Sequence, residues 1–307
     1  MKKIALIFPG QGAQKVGMGK ELYDQISSAK AVFDQANAVL GESITQIIFE
    51  GPEEKLMSTA YCQPAIFTMS MAALAAFKAS DKFLNVSVAY TAGLSLGEYG
   101  AMCAAGVLSF EDSLKLIQKR AAFMEEAAKA NPGKMAAVIG FDKDKLVEIC
   151  HAAGCEIANF NAPDQIVITG LASTVEKACQ MLTEAGCKKV IPLDVSGAFH
   201  SSLMRSAADK FSQVLASAPL KVMDIKVVAN VNGKPQQTPQ EVLENLPKQI
   251  YSSVQWVDSV KFMAADGVTD MVEIGPGRVL KGLIRKIDPA VNVHNIQLPE
   301  DIAALPF

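Results

Sequence analysis

Val86-Ser87-Val88-Ala89-Tyr90-Thr91-Ala92 runs without a break into Gly93-Leu94-Ser95-Leu96-Gly97, and a helix-compatible stretch follows. An apolar run, a tight turn and a helix in that order form the strand-turn-helix context of a nucleophile elbow, which presents a serine hydroxyl from the end of a buried strand. The glycines two before and two after the serine remove side chains that would collide inside the turn. Ser95 is therefore the leading nucleophile candidate. The pentapeptide alone also fits an ordinary loop, so the rest of the chain decides its meaning.

On both sides of this stretch, apolar strands alternate with helical segments, the pattern of an α/β fold with a mostly parallel sheet. Strands are expected at Lys3–Phe8, Val86–Ala92, Lys226–Val231, Asp270–Ile274 and Val291–Gln297, with helices between them. The middle of the chain follows another order. Lys134–Phe141 reads as a strand, Lys143–Ala153 as a helix, Glu156–Asn161 and Gln165–Thr169 as a hairpin, Ser173–Ala185 as a helix and Lys189–Val195 as a strand. That β-α-β-β-α-β order is ferredoxin-like. The expected architecture is thus a large α/β-hydrolase-like domain, residues 1–126 and 198–307, with an inserted ferredoxin-like small domain, residues 127–197. Asn131-Pro132-Gly133 and Ser196-Gly197 form the two crossings, and the cleft between the units is the expected binding site.

Composition sets the class. The 307 residues are 50% hydrophobic and 20% charged, enough to bury a substantial core. A net charge of −3 lacks the basic excess of a nucleic-acid binder. The six cysteines contain no C-x-x-C pair, so reduced core thiols in a cytoplasmic protein are expected rather than disulfides or a metal site. Ile4–Phe8 is too short for a signal-peptide core and breaks at Pro9-Gly10, and Ser70–Phe77 is too short to span a bilayer. Neither glycine-rich turn carries a nucleotide motif: Gly10-Gln11-Gly12 lacks a third glycine at dinucleotide spacing and has no Gly-Lys-Ser/Thr ending, and Gly275-Pro276-Gly277 reads as a strand-helix turn.

A serine nucleophile needs a base, and the chain has three histidines. His151 falls on a small-domain helix surface and His294 in the last strand. His200 follows Val195-Ser196-Gly197-Ala198-Phe199 at the mouth of the second crossing, where it either faces the cleft or serves as a capping or core histidine. Arg120 sits at the edge of the helical stripe Phe110, Leu114, Ile117, Ala121, Met124. It either snorkels to solvent or points into the cleft, where its planar fork suits a carboxylate. Serine, histidine and a carboxylate-binding arginine together describe acyl transfer from an acidic donor. The competing reading is a serine hydrolase or thioesterase of the α/β-hydrolase type, with His294 as its late histidine.

Several stretches, in this order, resemble the malonyl-CoA:acyl-carrier-protein transacylases of type II fatty-acid synthesis over essentially the whole chain. They are Phe8-Pro9-Gly10-Gln11-Gly12-Ala13-Gln14, Gln63-Pro64-Ala65, Gly93-Leu94-Ser95-Leu96-Gly97-Glu98-Tyr99, Arg120 with Met124, Asn159-Phe160-Asn161, Gly197-Ala198-Phe199-His200, Val254-Gln255-Trp256 and Glu273-Ile274-Gly275-Pro276-Gly277. The resemblance implies a ping-pong reaction in which Ser95 takes the malonyl group from coenzyme A and gives it to the phosphopantetheine thiol of acyl carrier protein, with His200 as base and then acid. It implies an oxyanion hole from the Gln11 and Leu96 backbone amides, a Gln255 main-chain carbonyl orienting His200, and Arg120, Gln63, Asn161, Phe199 and Met124 at the substrate. It further implies no cofactor and no metal, no nucleic-acid or membrane partner, a monomer, and transient electrostatic docking of the acidic carrier protein on Lys188, Lys189, Arg205, Lys281 and Arg285. Three residues depart from the family pattern: Leu94 stands where histidine is common, Ala121 where glycine is frequent, and Glu125 where glutamine is common. A carboxylate at Glu125 is placed to compete for Arg120.

Overall fold

The computed structural model describes all 307 residues. Ten strands form two sheets: β1 Lys2–Phe8, β2 Val86–Gly93, β3 Gly133–Ile139, β4 Glu156–Ala162, β5 Gln165–Leu171, β6 Lys189–Pro192, β7 Lys226–Val228, β8 Pro235–Gln236, β9 Asp270–Ile274 and β10 Asn292–Ile296. The larger sheet has the order β10-β9-β1-β2-β7-β8 and is parallel throughout except for β8, a two-residue edge strand that the sequence reading does not contain. The protein is thus a mixed α/β fold with a mostly parallel main sheet.

The sequence of β1 shows why this sheet is central. Ile4, Leu6 and Phe8 enter one apolar cluster and Ala5 and Ile7 the other, so alternate residues are buried on opposite faces. A strand covered by helices on both sides reads as one continuous apolar run. The chain leaves β1 for β2 and β7 on one side, then returns to add β9 and β10 on the other. The crevice beyond the carboxyl ends of β1 and β2 therefore lies at the reversal of strand order, where open parallel sheets place their ligands.

Thr59–Lys78, the one helix long and apolar enough to cross a membrane, is mostly buried inside the protein, 83% of its apolar 18-residue stretch being covered. It packs against the helix Phe110–Ala130, whose N-terminus is capped by the Ser109 hydroxyl accepting from the Asp112 amide.

Between the crossings, the four strands β3 to β6 form an antiparallel sheet of order β4-β5-β3-β6, with the helices Lys143–Ala153 and Ala172–Glu184 packed on it. Two expected strands end early for local reasons. The strand expected to reach Val195 stops at Pro192, which has no N–H to continue the ladder. The strand expected to reach Val231 stops at Val228, and the chain turns at Asn230 to Gly233.

Candidate active site

The elbow follows from β2 running into the helix Gly97–Ala104. Ser95 has φ 53°, a left-handed conformation that non-glycine residues hold only when the surroundings enforce it. The enforcement is visible: Asn230 Oδ1 accepts from the Ser95 amide at 2.6 Å, while Asn230 Nδ2 donates to the Gly93 carbonyl at 2.7 Å. A Cβ at Gly97 would lie 2.0 Å from the Phe8 carbonyl oxygen, and one at Gly93 would lie 2.0 Å from the Gly97 carbonyl carbon. Gly97→Ala is therefore expected to cost about 3 kcal/mol of folding stability, because backbone rather than a yielding side chain stands in the way. Urea denaturation with activity measured in parallel checks this.

Three residues distant in sequence meet at Ser95. His200 Nε2 lies 2.8 Å from Ser95 Oγ, and an Arg120 Nη2–H donates to the same oxygen at 3.0 Å. His200, like Ser95, has a positive φ, 58°, and its loop is held by the Ser201 hydroxyl donating to the Ala198 carbonyl and by Thr169 of β5 donating to the Phe199 carbonyl. The smaller sheet thus sets the position of the imidazole.

The other His200 nitrogen, Nδ1, meets the main-chain carbonyl of Gln249 at 2.8 Å. This corrects the expected Gln255 carbonyl. The helix Pro239–Tyr251 ends two residues after Gln249, so that carbonyl is one of the last-turn acceptors with no intrahelical donor. The Gln255 carbonyl begins the helix Trp256–Ala265 and is already taken by the Ser259 amide at 3.0 Å and hydroxyl at 2.8 Å. A carbonyl only accepts, so Nδ1 carries the proton and Nε2 is the free base facing Ser95. Burial, and secondarily the charge of Arg120, pulls the imidazole down to about 4, which keeps it neutral at ordinary pH.

Arg120 is 1% exposed and has no carboxylate within ion-pair distance. Its partners are neutral: Gln63 Oε1 at 2.8 Å, Gln249 Oε1 at 3.0 Å and Ser95 Oγ. Glu125 does not compete for it, since that carboxylate pairs with Lys129 at 2.8 Å. Burial lowers the affinity of Arg120 for its proton, with Tyr99 and Glu98 opposing. A buried cation held by neutral acceptors alone is a site that an anion completes.

Ser95, His200 and Arg120 line a cavity of about 280 Å³ together with Gln11, Leu94, Leu96, Met124, Asn161 and Phe199. The Gln11 and Leu96 amides donate to no other group of the protein. Asn161 Oδ1 is buried without a hydrogen-bond partner. Gln63 lies behind the cavity rather than on its wall, and its contact is with Arg120. His294 is not part of this site: it pairs with Asp270, the first residue of β9, at 3.0 Å, at the sheet edge opposite the carboxyl end of β2 from which Ser95 projects. His151 is exposed on its helix.

Sequence reasoning assigns no role to Gln249, Asn230 or Glu98. The break at Ser252-Ser253 after a helix started by Thr238-Pro239 is the one signal that marks Gln249 as a helix-end acceptor.

A serine held against a buried imidazole at the carboxyl edge of a parallel sheet defines an acyl-transfer type of site. Residues 5–297 match the family model of the acyl transferase domain, and the chain belongs to that family. A malonyl CoA-acyl carrier protein transacylase of Bacillus subtilis is 43% identical over 307 residues, covering 98% of this chain and 96% of the relative. An acyl-carrier-protein-S-malonyltransferase from Bartonella henselae has a crystal structure similar to this one at a TM-score of 0.94, with 37% identity, covering 99% of this chain and 98% of the other. A malonyl-transacylase solved in complex with its type II PKS acyl-carrier protein also matches at a TM-score of 0.94, with 33% identity and 98% of both chains covered.

Proposed function

We propose that this protein is an acyl-carrier-protein S-malonyltransferase that carries the malonyl group between coenzyme A and the carrier protein as an ester on Ser95. The observation that carries this reading is the placement of Ser95 Oγ between a neutral imidazole nitrogen and a buried guanidinium with no anionic partner. The names of the full-length relatives support it.

In the first half-reaction the Ser95 proton passes to His200 Nε2 as Oγ attacks the thioester carbonyl. The Gln11 and Leu96 amides are free to hold the negative oxygen of the tetrahedral intermediate. Collapse breaks the C–S bond, and His200 returns its proton to the departing thiol. The second half is the reverse with the phosphopantetheine thiol: its proton goes to His200, the sulfur attacks the ester, and Ser95 Oγ leaves and is reprotonated. Arg120 pairs with the free malonyl carboxylate, and Phe199 with Asn161 and Met124 bounds the acyl pocket. Gln63 serves by holding Arg120.

The smaller sheet, with its β-α-β-β-α-β order, is read as a ferredoxin-like unit of residues 127–197 inserted into an α/β-hydrolase-like unit. Lys188, Lys189, Arg205, Lys281 and Arg285 are all exposed and available to an acidic carrier protein. Six free cysteines suit a reducing cytoplasm.

The test is acceptor dependence. With malonyl-CoA alone the enzyme is expected to release about one equivalent of thiol and stop, and with holo carrier protein to turn over continuously. Steady thiol release without acceptor would identify a hydrolase instead.

A further inference from the structure

Beneath the catalytic groups lies a carboxylate that the reaction scheme above does not use. Glu98, in the first turn of the helix after Ser95, is 1% exposed. Every hydrogen-bonding partner it has is a donor: Gln249 Nε2 at 2.8 Å and the Asn230 amide at 3.2 Å on Oε2, and Gln236 Nε2 at 3.3 Å on Oε1. Both glutamine amides have their orientation set from the far side. Gln249 Nε2 also donates to the Ser95 carbonyl while its Oε1 accepts from Arg120. Gln236 Oε1 accepts from Asn245 Nδ2 at 3.1 Å. Neither can turn an acceptor toward position 98 without giving up that outer contact, so the pocket requires a group that only accepts.

We propose that Glu98 is the positioning residue of this site, and that its ionised carboxylate aligns Ser95 with His200 by fixing Gln249 and Asn230 together. Gln249 holds the imidazole through its carbonyl and Arg120 through its side chain, while Asn230 clamps the elbow on both sides of Ser95. Both residues answer to the same carboxylate oxygen. The inference rests on the acyl-transfer reading of Ser95 and goes beyond it, since no contact of Glu98 with substrate is involved.

The charge state of Glu98 gives the inference a pH signature. Burial pushes its carboxyl up to about 7 against the pull of its donors and of Arg120. Of the titratable groups around it, Arg120 on the helix Phe110–Ala130 favours the anion, and Tyr99 on its own helix stays neutral because burial pushes its hydroxyl well above the usual range, while the turn, edge strand and helix that supply Asn230, Gln236 and Gln249 face it with uncharged groups. Deprotonation completes the donor set, so alignment improves as pH rises through about 7. His200 titrates well below that, near 4, and does not produce this limb.

The experiment uses two Ser95 reagents on the full chain, malonyl-CoA and a fluorophosphonate, each followed by mass spectrometry across roughly pH 5 to 9. The fluorophosphonate reports the Ser95–His200 alignment whatever acyl group the enzyme carries. In the wild type both rates are expected to rise through about pH 7. In Glu98→Gln, where an amide sets a donor against a donor, both are expected to fall about 100-fold above that pH, with the limb gone and the loss larger in kcat than in KM. Wild-type rates with an unchanged limb in Glu98→Gln would overturn the inference. Should that variant not fold, Gln249→Met carries the same test, because its main-chain carbonyl remains for His200 while the side-chain link from Glu98 to Arg120 and Ser95 is cut. Wild-type phosphonylation in that variant would likewise overturn it. Phosphonylation without any malonyl adduct would instead count against the proposed function and leave the role of Glu98 standing.

Discussion

Ser95→Ala is expected to lower malonyl transfer by about 10⁴-fold or more and to abolish the malonyl adduct, the largest effect any single substitution here should have. The reason is that nothing stands in for the hydroxyl. Among the cavity-lining residues Ser95 is the only one with a hydroxyl, and none carries a thiol or an amine. The imidazole of His200 and the Gln11 and Leu96 amides would survive the change, since Cβ and the backbone clamp by Asn230 remain. The variant should therefore fold and bind malonyl-CoA while transferring nothing. Intact-mass measurement after incubation with malonyl-CoA, with peptide mapping of the wild type, is the check. A full-strength adduct on the alanine variant would remove Ser95 from the mechanism.

Arg120→Ala is expected to lower malonyl transfer on the order of 10³-fold, about 4 kcal/mol in the transition state, while acetyl transfer changes by less than about tenfold. The asymmetry follows from the surroundings of the guanidinium. Buried and hydrogen-bonded only to Gln63, Gln249 and Ser95, it gains a direct ion-pair partner when an acidic acyl group enters. A neutral acyl group leaves it without that partner, so removing it takes away a penalty along with a contact. Because Arg120 also donates to Ser95 Oγ, some loss with both donors is expected, and the ratio of the two is the informative quantity. Comparing kcat/KM for malonyl-CoA and acetyl-CoA measures it, and equal losses would deny the arginine its part in selectivity.

Much of the frame was legible because it follows from local chemistry. An apolar run ending in Gly-x-Ser-x-Gly has few alternatives once the clash of a Cβ with backbone is considered, and the 2.0 Å approaches at Gly93 and Gly97 are that argument in coordinates. The β9 strand at Asp270–Ile274 and the helix at Lys143–Ala153 also follow from pattern, having clear apolar periodicity and clear ends. His200 stood out by scarcity, with His151 on a helix surface and His294 in a strand. Arg120 stayed ambiguous from spacing, because an arginine at the edge of an apolar stripe looks the same whether it points to water or to a cleft. The resemblance, not the periodicity, argued for the cleft.

What was illegible is whatever depends on backbone atoms or on tertiary approach. The acceptor for His200 is a carbonyl, which every residue possesses, so the identity of a side chain says nothing about it. Only the end of the helix at Tyr251 distinguishes Gln249 from Gln255. Asn230 lies beyond a strand end that the pattern overran by three residues, and its clamp on the elbow spans 135 residues of chain. Glu98 sat inside a quoted motif without a role, because a glutamate in a first helical turn is ordinarily explained by the helix dipole. Its burial among three donors is visible only in three dimensions.

Leaning the imidazole on a peptide oxygen instead of an acid has a kinetic meaning. A protonated ring here enjoys a dipole's support only, with a guanidinium close by that repels it, so the proton lifted from serine is loosely kept and readily surrendered to whichever sulfur departs. Neither direction is favoured by such a base. That symmetry suits a protein shuttling one cargo between two thioesters of similar energy, and it offers little help to water as a competing acceptor.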